Sequence, residues 1–105
     1  MRLKTWTGKS HFDYEGSVKK GTKIWYGQKG HKATVSESQY KELLDHFKGQ
    51  EVPLGTSRDM PQPGSLGEWL HENVTRTAIA SYVGPILVTE GYACRVTDRT
   101  KLKCN

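Results

Sequence analysis

The spacing of apolar residues predicts two short helices between Ser65 and Gly91. The first helix begins at a capping box, in which Ser65 is the N-cap and Glu68 follows three residues later. The second begins after Thr75 or Thr77, and its apolar residues recur at helical spacing: Ile79, Val83, Ile86 and Leu87. Pro85 lies inside this stripe, so the sequence predicts a bend or an early end of the second helix.

Residues 94–104 predict a β-hairpin that folds about Arg99 and has one apolar and one basic face. In this register Cys94 lies opposite Cys104, and Val96 lies opposite Leu102. Since side chains alternate between the two faces of a strand, polar and cationic residues share the second face: Arg95, Thr97, Lys101 and Lys103. The register leaves a disulfide between the cysteines as an open alternative, although cysteines of cytosolic proteins are usually reduced.

A further helix and a second hairpin precede these elements. Ser36 and Gln39 form a capping box, followed by an apolar stripe at helical spacing: Tyr40, Leu43, Leu44 and Phe47. Two short strands, residues 23–27 and 31–35, are joined by a turn at 28–30 and predict an N-terminal β-hairpin. Residues 1–21 combine aromatic side chains, which favour docking, with glycines and lysines, which favour mobility. Their order therefore remains undecided.

The succession of helix, short turn, helix and charged hairpin over about residues 35–105 resembles a winged helix–turn–helix domain. The resemblance implies an α+β fold with three helices and a C-terminal β-hairpin wing, to which this chain adds an N-terminal β-hairpin. It implies a recognition helix whose exposed side faces the DNA major groove, with these residues on that side: Arg76, Thr77, Ala80, Ser81 and Gly84. It also implies a wing that carries four cations: Arg95, Arg99, Lys101 and Lys103. Specific contacts to bases are made by Arg, Lys, Asn and Gln. The predicted recognition helix has only one such residue, Arg76, on its exposed side.

Composition and charge bear on the partner of the chain. Its 105 residues, 34% of them apolar, predict a single domain with a small core, in which residues 22–35 form the hairpin and 36–105 the winged-helix core. Residues 1–35 hold eight Lys and Arg against two acids, residues 36–75 three against seven, and residues 76–105 five against two. Basic surfaces of this kind favour phosphate backbones, and they add Lys29 and Lys32 to the expected DNA contacts. The alternative is that the charges only keep the protein soluble.

The sequence contains no motif of a catalytic, cofactor or metal site. H-E-x-x-H, G-x-S-x-G and phosphate-loop motifs are missing, and the two cysteines do not form C-x-x-C. We therefore predict no catalytic residue, cofactor or metal, and a nuclease built on Asp13, Glu15 and a lysine is a less favoured alternative. An apolar run of about 20 residues, as a membrane span needs, is also missing, so we expect a cytoplasmic protein without membrane contact.

Two functions from different classes follow. The first is a small DNA-binding factor in transcription regulation, which contacts the backbone of double-stranded DNA through the wing and the basic N-terminal hairpin. The second is a protein-interaction module or inhibitor without DNA binding of its own. This second function would use the loop Thr56–Gly64, which is rich in proline and glycine, or exposed aromatic side chains.

Overall fold

Two antiparallel sheets and three short helices make up the chain in a computed structural model that describes residues 1–57 and 59–105. The first sheet has the strand order β1-β2-β3-β4 and precedes the helices: β1 (Arg2–Lys4), β2 (His11–Ser17), β3 (Gly21–Tyr26) and β4 (His31–Ser36). The helices are α1 (Glu37–Phe47), α2 (Leu66–Asn73) and α3 (Ala80–Thr89). The second sheet has the order β5-β7-β6: β5 (Glu51–Pro53), β6 (Ala93–Arg95) and β7 (Lys101–Cys104). Among the described residues, no helix is both long and apolar enough to cross a membrane.

The predicted N-caps of α1 and α2 are confirmed, but only α1 has a complete capping box. The Ser36 hydroxyl accepts a hydrogen bond from the Gln39 backbone at 3.2 Å, and the Gln39 side chain accepts one from the Ser36 backbone at 2.8 Å, which completes the capping box of α1. Ser65 caps α2 in the same way, at 3.0 Å from the Glu68 nitrogen. The Glu68 carboxylate, however, accepts from the Gly64 backbone. Short-range hydrogen bonding thus fixes the starts of α1 and α2.

The predicted N-terminal hairpin is one half of a larger sheet. β3 and β4 pair as expected, with Ile24 opposite Ala33, and residues 1–21 contribute β1 and β2 to the same sheet. In β2 the side chains alternate, so that Phe12 and Tyr14 are buried while the residues between and beside them are exposed. The apolar face of this sheet belongs to the same buried cluster as the helices.

Helix α3 runs through its proline. It begins at Ala80, later than the predicted Thr75 or Thr77, and it ends before Gly91, which has a φ of +83°. Pro85 has no N–H to donate to the Ser81 carbonyl four residues earlier. The backbone N–H of Trp6 donates to that carbonyl instead, at 3.0 Å. The helix does not end early because the N-terminal segment satisfies the carbonyl that the proline leaves without its helical donor.

The α+β class is correct, but the predicted winged helix–turn–helix fold is wrong. The main sheet comes first in the chain, and the helices have only 8 to 11 residues. The side of α3 that was expected to face a DNA groove is covered, because Ala80 and Gly84 are buried and Ser81 is partly buried. Trp6, Phe12 and Tyr26 of the N-terminal region lie against this helix. Helix α3 is therefore a core element that presents no free recognition surface.

The predicted register of the C-terminal hairpin is also wrong, by one residue. Cys94 lies opposite Lys103, and Arg95 lies opposite Leu102. The turn depends on Asp98, whose carboxylate accepts from the backbone nitrogen and the hydroxyl of Thr100 at 2.9 and 2.6 Å. Because a shift of one residue moves a side chain to the other face, Arg95 does not share a face with Lys101 and Lys103.

The same shift separates the two cysteines. Cys94 is exposed, whereas Cys104 points into the core and is 1% exposed. Burial raises the pKa of the Cys104 thiol to about 11. The two thiols lie on opposite faces of the sheet and are both free, so the alternative of a disulfide between them is not realised.

Glu90, which follows α3, attaches the first sheet to that helix. Its carboxylate accepts a hydrogen bond from the Tyr14 hydroxyl at 2.8 Å and another from the Val18 backbone at 2.9 Å. Burial and, after it, the hydrogen bond to Glu90 raise the pKa of Tyr14 from 10.0 to about 12. Folding therefore favours the neutral form of the Tyr14 hydroxyl.

Replacing Tyr14 by phenylalanine tests this attachment. At pH 7 we expect Tyr14→Phe to lower the free energy of unfolding by about 1.5 kcal/mol, because a hydrogen bond to a carboxylate is lost. Since the folded-state pKa is raised, the contribution of Tyr14 is fully present below pH 10 and is lost as the pH rises towards 12. Urea unfolding at several pH values should therefore show a difference between the two proteins that shrinks above pH 10. A difference that stays constant up to pH 12 would contradict this role of Tyr14.

A candidate nucleic-acid interface at one end of the first sheet

The connections β1–β2 and β3–β4 lie at the same end of the four-stranded sheet. The antiparallel register places Lys4 opposite His11 and Tyr26 opposite His31, so the last residue of β1 and the first residue of β2 lie beside the tip of the β3–β4 hairpin. We call this the basic end, because exposed cations lie in or beside the connections that meet there: Lys4, Lys9 and Lys29.

Trp6, in the β1–β2 connection, joins the basic end to α3 and to the C-terminal hairpin. Its backbone nitrogen donates to the Ser81 carbonyl, and its indole nitrogen donates to the Arg99 carbonyl at 2.6 Å. The ring packs closely against α3, where a Cβ on Gly84 would lie 3.1 Å from Trp6 Cε3 and 2.8 Å from a methyl group of Leu54. The absence of a side chain at Gly84 thus makes room for the indole ring.

Arg95 stacks on the same indole ring. The guanidinium carbon of Arg95 lies 4.0 Å from the ring centroid, and Nη1 donates to the Trp6 carbonyl at 3.4 Å. The hydrogen bond from the indole nitrogen to the backbone carbonyl of Arg99 brings a second arginine residue to the same ring. Together these residues line a cleft of about 570 Å³, which we call the arginine cleft: Trp6, Thr7, Arg95, Val96, Thr97, Arg99 and Thr100.

The chemistry of the arginine cleft suits an anion with several oxygen atoms. The two arginines offer planar arrays of N–H donors, and Thr7 and Thr97 contribute hydroxyl groups, whereas the Thr100 hydroxyl already donates to Asp98. Asp98 is the neighbouring acid, and its hydrogen bonds to Thr100 lower the pKa of its carboxyl group. Asp98 is therefore ionised, and its single negative charge is outweighed by the two arginines that line the cleft.

Arg76 and Thr77 lie in the connection between α2 and α3 instead of on a recognition helix. The Arg76 carbonyl accepts a hydrogen bond from the His71 ring, so the backbone is fixed while the guanidinium group is exposed. Both residues line a second cleft of about 460 Å³ at the basic end, with the following neighbours: Tyr26, His31, Thr75 and Ala78.

The other predicted contact residues are not brought together. Lys29 lies at the basic end, but Lys32 is on the outer face of the first sheet, 6.0 Å from the Trp25 ring. Lys101 and Lys103 lie opposite Pro53 and Glu51 in the second sheet. Ser81 contributes a carbonyl that is already bonded to Trp6. Of the nine predicted residues, the structure thus groups Arg95 with Arg99, and Arg76 with Thr77.

Sequence reasoning missed the aromatic residues that shape the two clefts. Trp6, Tyr26 and His31 line them, yet the sequence pattern predicts only strands for Tyr26 and His31 and leaves the order of residues 1–21 open. One signal was present, since Gly84 and Pro85 combine a missing side chain with a missing N–H inside an apolar helix. That pair marks a helix surface on which another segment can dock.

The loop that contains the predicted protein-binding segment borders the arginine cleft. Residues of this loop line an adjoining cleft of about 360 Å³ together with Trp6 and Arg99: Gly55, Thr56, Ser57, Met60 and Gln62. Met60 is 84% exposed. Position 58, in the middle of the loop, lies outside the described residues.

The position of Trp6 can be tested by replacing it with phenylalanine. We expect Trp6→Phe to lower the free energy of unfolding by about 1–2 kcal/mol, because the indole hydrogen bond to Arg99 and part of the buried ring are lost. Trp25→Phe is the matched control, since Trp25 lies on the outer face of the sheet. Equal losses for both variants in chemical denaturation would contradict a special role for Trp6.

Comparison of the chain with protein-family models, with curated proteins and with solved structures found no match. The function is therefore inferred from the geometry of the two clefts and from the charges around them.

Proposed function

We propose that the protein binds nucleic acid, with double-stranded DNA as the first candidate, by holding the phosphate backbone in the arginine cleft. The observation that carries this proposal is the stack of Arg95 on Trp6, in a cleft that Arg99 also lines and where the indole hydrogen bond holds the Arg99 backbone. The basic end around the cleft extends the cationic surface, because Lys9 and Lys29 are exposed there.

The fixed position of Arg95 supports phosphate as the ligand. A free arginine side chain loses much conformational freedom when it binds an anion, whereas stacking on an indole ring restricts this side chain in advance. A guanidinium group can then donate two parallel hydrogen bonds to one phosphate. Threonine hydroxyls in the same cleft supply further donors of the type that commonly contacts the sugar–phosphate backbone.

The burial of α3 supports backbone contacts over the reading of base sequence. A recognition helix needs a free face to enter the major groove, and the corresponding face of α3 packs against the first sheet. Binding through phosphate alone is largely independent of sequence and falls steeply as salt rises. We therefore expect little discrimination between duplexes of different sequence.

Removal of the two arginines tests the proposal. We expect Arg95→Gln with Arg99→Gln to weaken binding to a fluorescent duplex at low salt at least about tenfold, because charge-assisted hydrogen bonds to phosphate are lost. The slope of log K against log salt should become shallower by about 2, since each neutralised phosphate contributes about 0.9. Fluorescence anisotropy at several salt concentrations measures both quantities.

Two control variants remove the same charge elsewhere. Lys41→Gln with Lys48→Gln changes exposed lysines in α1 and directly after it, and Lys101→Gln with Lys103→Gln changes lysines on the face of the second sheet opposite to that of Arg95. Both should retain most of the duplex affinity. No binding by the wild type at low salt, or equal losses in all three double variants, would overturn the proposal.

A protein partner at the loop beside the cleft is the second candidate function, favoured by the exposure of Met60. Met60 is 84% exposed and lines the cleft of about 360 Å³ beside Trp6 and Arg99, where an apolar side chain of a partner can pack against it. Immobilised wild type should then retain a stoichiometric partner from an extract of its host, and Met60→Glu should lose it. Equal recovery by both proteins would argue against this candidate.

A further inference from the structure

Four aromatic rings form a column that leads from the core to the basic end. Buried Phe12 lies 5.2 Å from Tyr82 between ring centroids, Tyr82 is stacked 4.6 Å from Tyr26, and Tyr26 lies 5.7 Å from His31. Exposure increases along the column, because Phe12 is buried, Tyr82 and Tyr26 are partly buried, and His31 is exposed. The core therefore holds the outer two rings in place at the surface.

These outer rings line the second cleft, opposite a cation. Tyr26 and His31 share the cleft of about 460 Å³ with Arg76 and with the hydroxyl-bearing Thr75 and Thr77. The His71 ring holds the backbone of Arg76. The cleft thus combines flat rings with a positive charge on a fixed backbone, and it is separate from the arginine cleft.

We propose that this second cleft, which we call the stacking cleft, binds an unpaired nucleobase of a nucleic-acid strand. The base extends the ring column beside His31 and Tyr26, and Arg76 holds the adjoining phosphate. Aromatic side chains accept bases of any sequence in this way, because every base has a flat π-face. The inference rests on the proposed function, and it specifies the ligand further as nucleic acid with a single-stranded part.

The requirement for an unpaired base follows from the geometry of a duplex. Inside a double helix both faces of each base are covered by neighbouring bases, so a surface ring cannot stack on them. A single-stranded tail leaves those faces free. Since both clefts lie at the basic end of the sheet, a duplex with a tail can place its backbone in the arginine cleft and a tail base in the stacking cleft.

The test compares a blunt DNA duplex with the same duplex carrying a short tail that contains 2-aminopurine. We expect the wild type to bind the tailed duplex at least about tenfold more tightly, and the 2-aminopurine fluorescence to be quenched by stacking. His31→Ala should reduce this preference and leave affinity for the blunt duplex unchanged, whereas Arg76→Gln should weaken binding of the tailed duplex more than that of the blunt duplex. His31→Phe should retain it, because a ring remains, and His46→Ala on α1 is the matched control.

Several results would overturn the proposal. These are equal binding of blunt and tailed duplexes by the wild type, an unchanged preference in His31→Ala, or loss of the preference in His31→Phe. A competition experiment compares adenosine monophosphate with an oligonucleotide at equal nucleotide concentration. If both displace the tail equally well, the cleft binds free nucleotides instead. An RNA tail in a parallel titration shows whether the sugar matters, and failure of an RNA tail and a DNA tail alike would also overturn the proposal.

The two proposals fail in different ways. If Arg95→Gln with Arg99→Gln leaves blunt-duplex binding intact, the arginine cleft is not the backbone site, whereas a preference for tails that depends on His31 would still support the stacking cleft. If blunt-duplex binding depends on the arginines and no preference for tails exists, only the stacking cleft is refuted. Thermal unfolding of each variant confirms that the loss of binding is not a loss of fold.

Discussion

The hydrogen bond from the Trp6 backbone to the Ser81 carbonyl is the contact on which the rest of the structure depends. Pro85 removes the N–H that would normally reach this carbonyl, and a buried carbonyl without a donor costs about 1–3 kcal/mol. The N-terminal segment supplies the missing donor at 3.0 Å. Gly84, one residue before the proline, leaves the space that the indole ring fills. The pair Gly84–Pro85, which would weaken an isolated helix, is therefore what attaches the N-terminal region to α3.

This contact has two opposite consequences for function. It covers the side of α3 that could have entered a DNA groove, so the helix serves the core. It also holds the indole ring where Arg95 stacks and where the Arg99 carbonyl accepts a hydrogen bond. The arginine cleft consequently forms only when Trp6 and the C-terminal hairpin are both in place. Its formation therefore requires the folding of the whole protein.

Sequence reasoning succeeded where the determining interactions are local. The capping box of Ser36 and Gln39 and the pairing of β3 with β4 depend on residues close together in the chain. The predicted register of the last hairpin is wrong because the alternation of polar and apolar residues does not show where the chain turns, and the carboxylate of Asp98 sets that turn. The prediction that one side of α3 is exposed is wrong for a different reason. An apolar stripe in the helix cannot show that Trp6, which is distant in the sequence, covers the remaining side. The cleft residues were therefore predicted in part, and their grouping was not.

The antiparallel topology explains why the two clefts occur at one end of the molecule. Strands β1 and β3 run towards the basic end, and β2 and β4 start there, so Trp6 and the Tyr26–His31 pair are brought to the same end by pairing alone. The two segments then meet consecutive residues of α3, since Trp6 contacts Ser81 and Tyr26 stacks on Tyr82. The first turn of α3 therefore lies between the two clefts and sets their separation. Under the proposed function, a ligand that occupies both clefts must match this separation, which a flexible single strand continuing from a duplex can do more easily than a stiff blunt duplex.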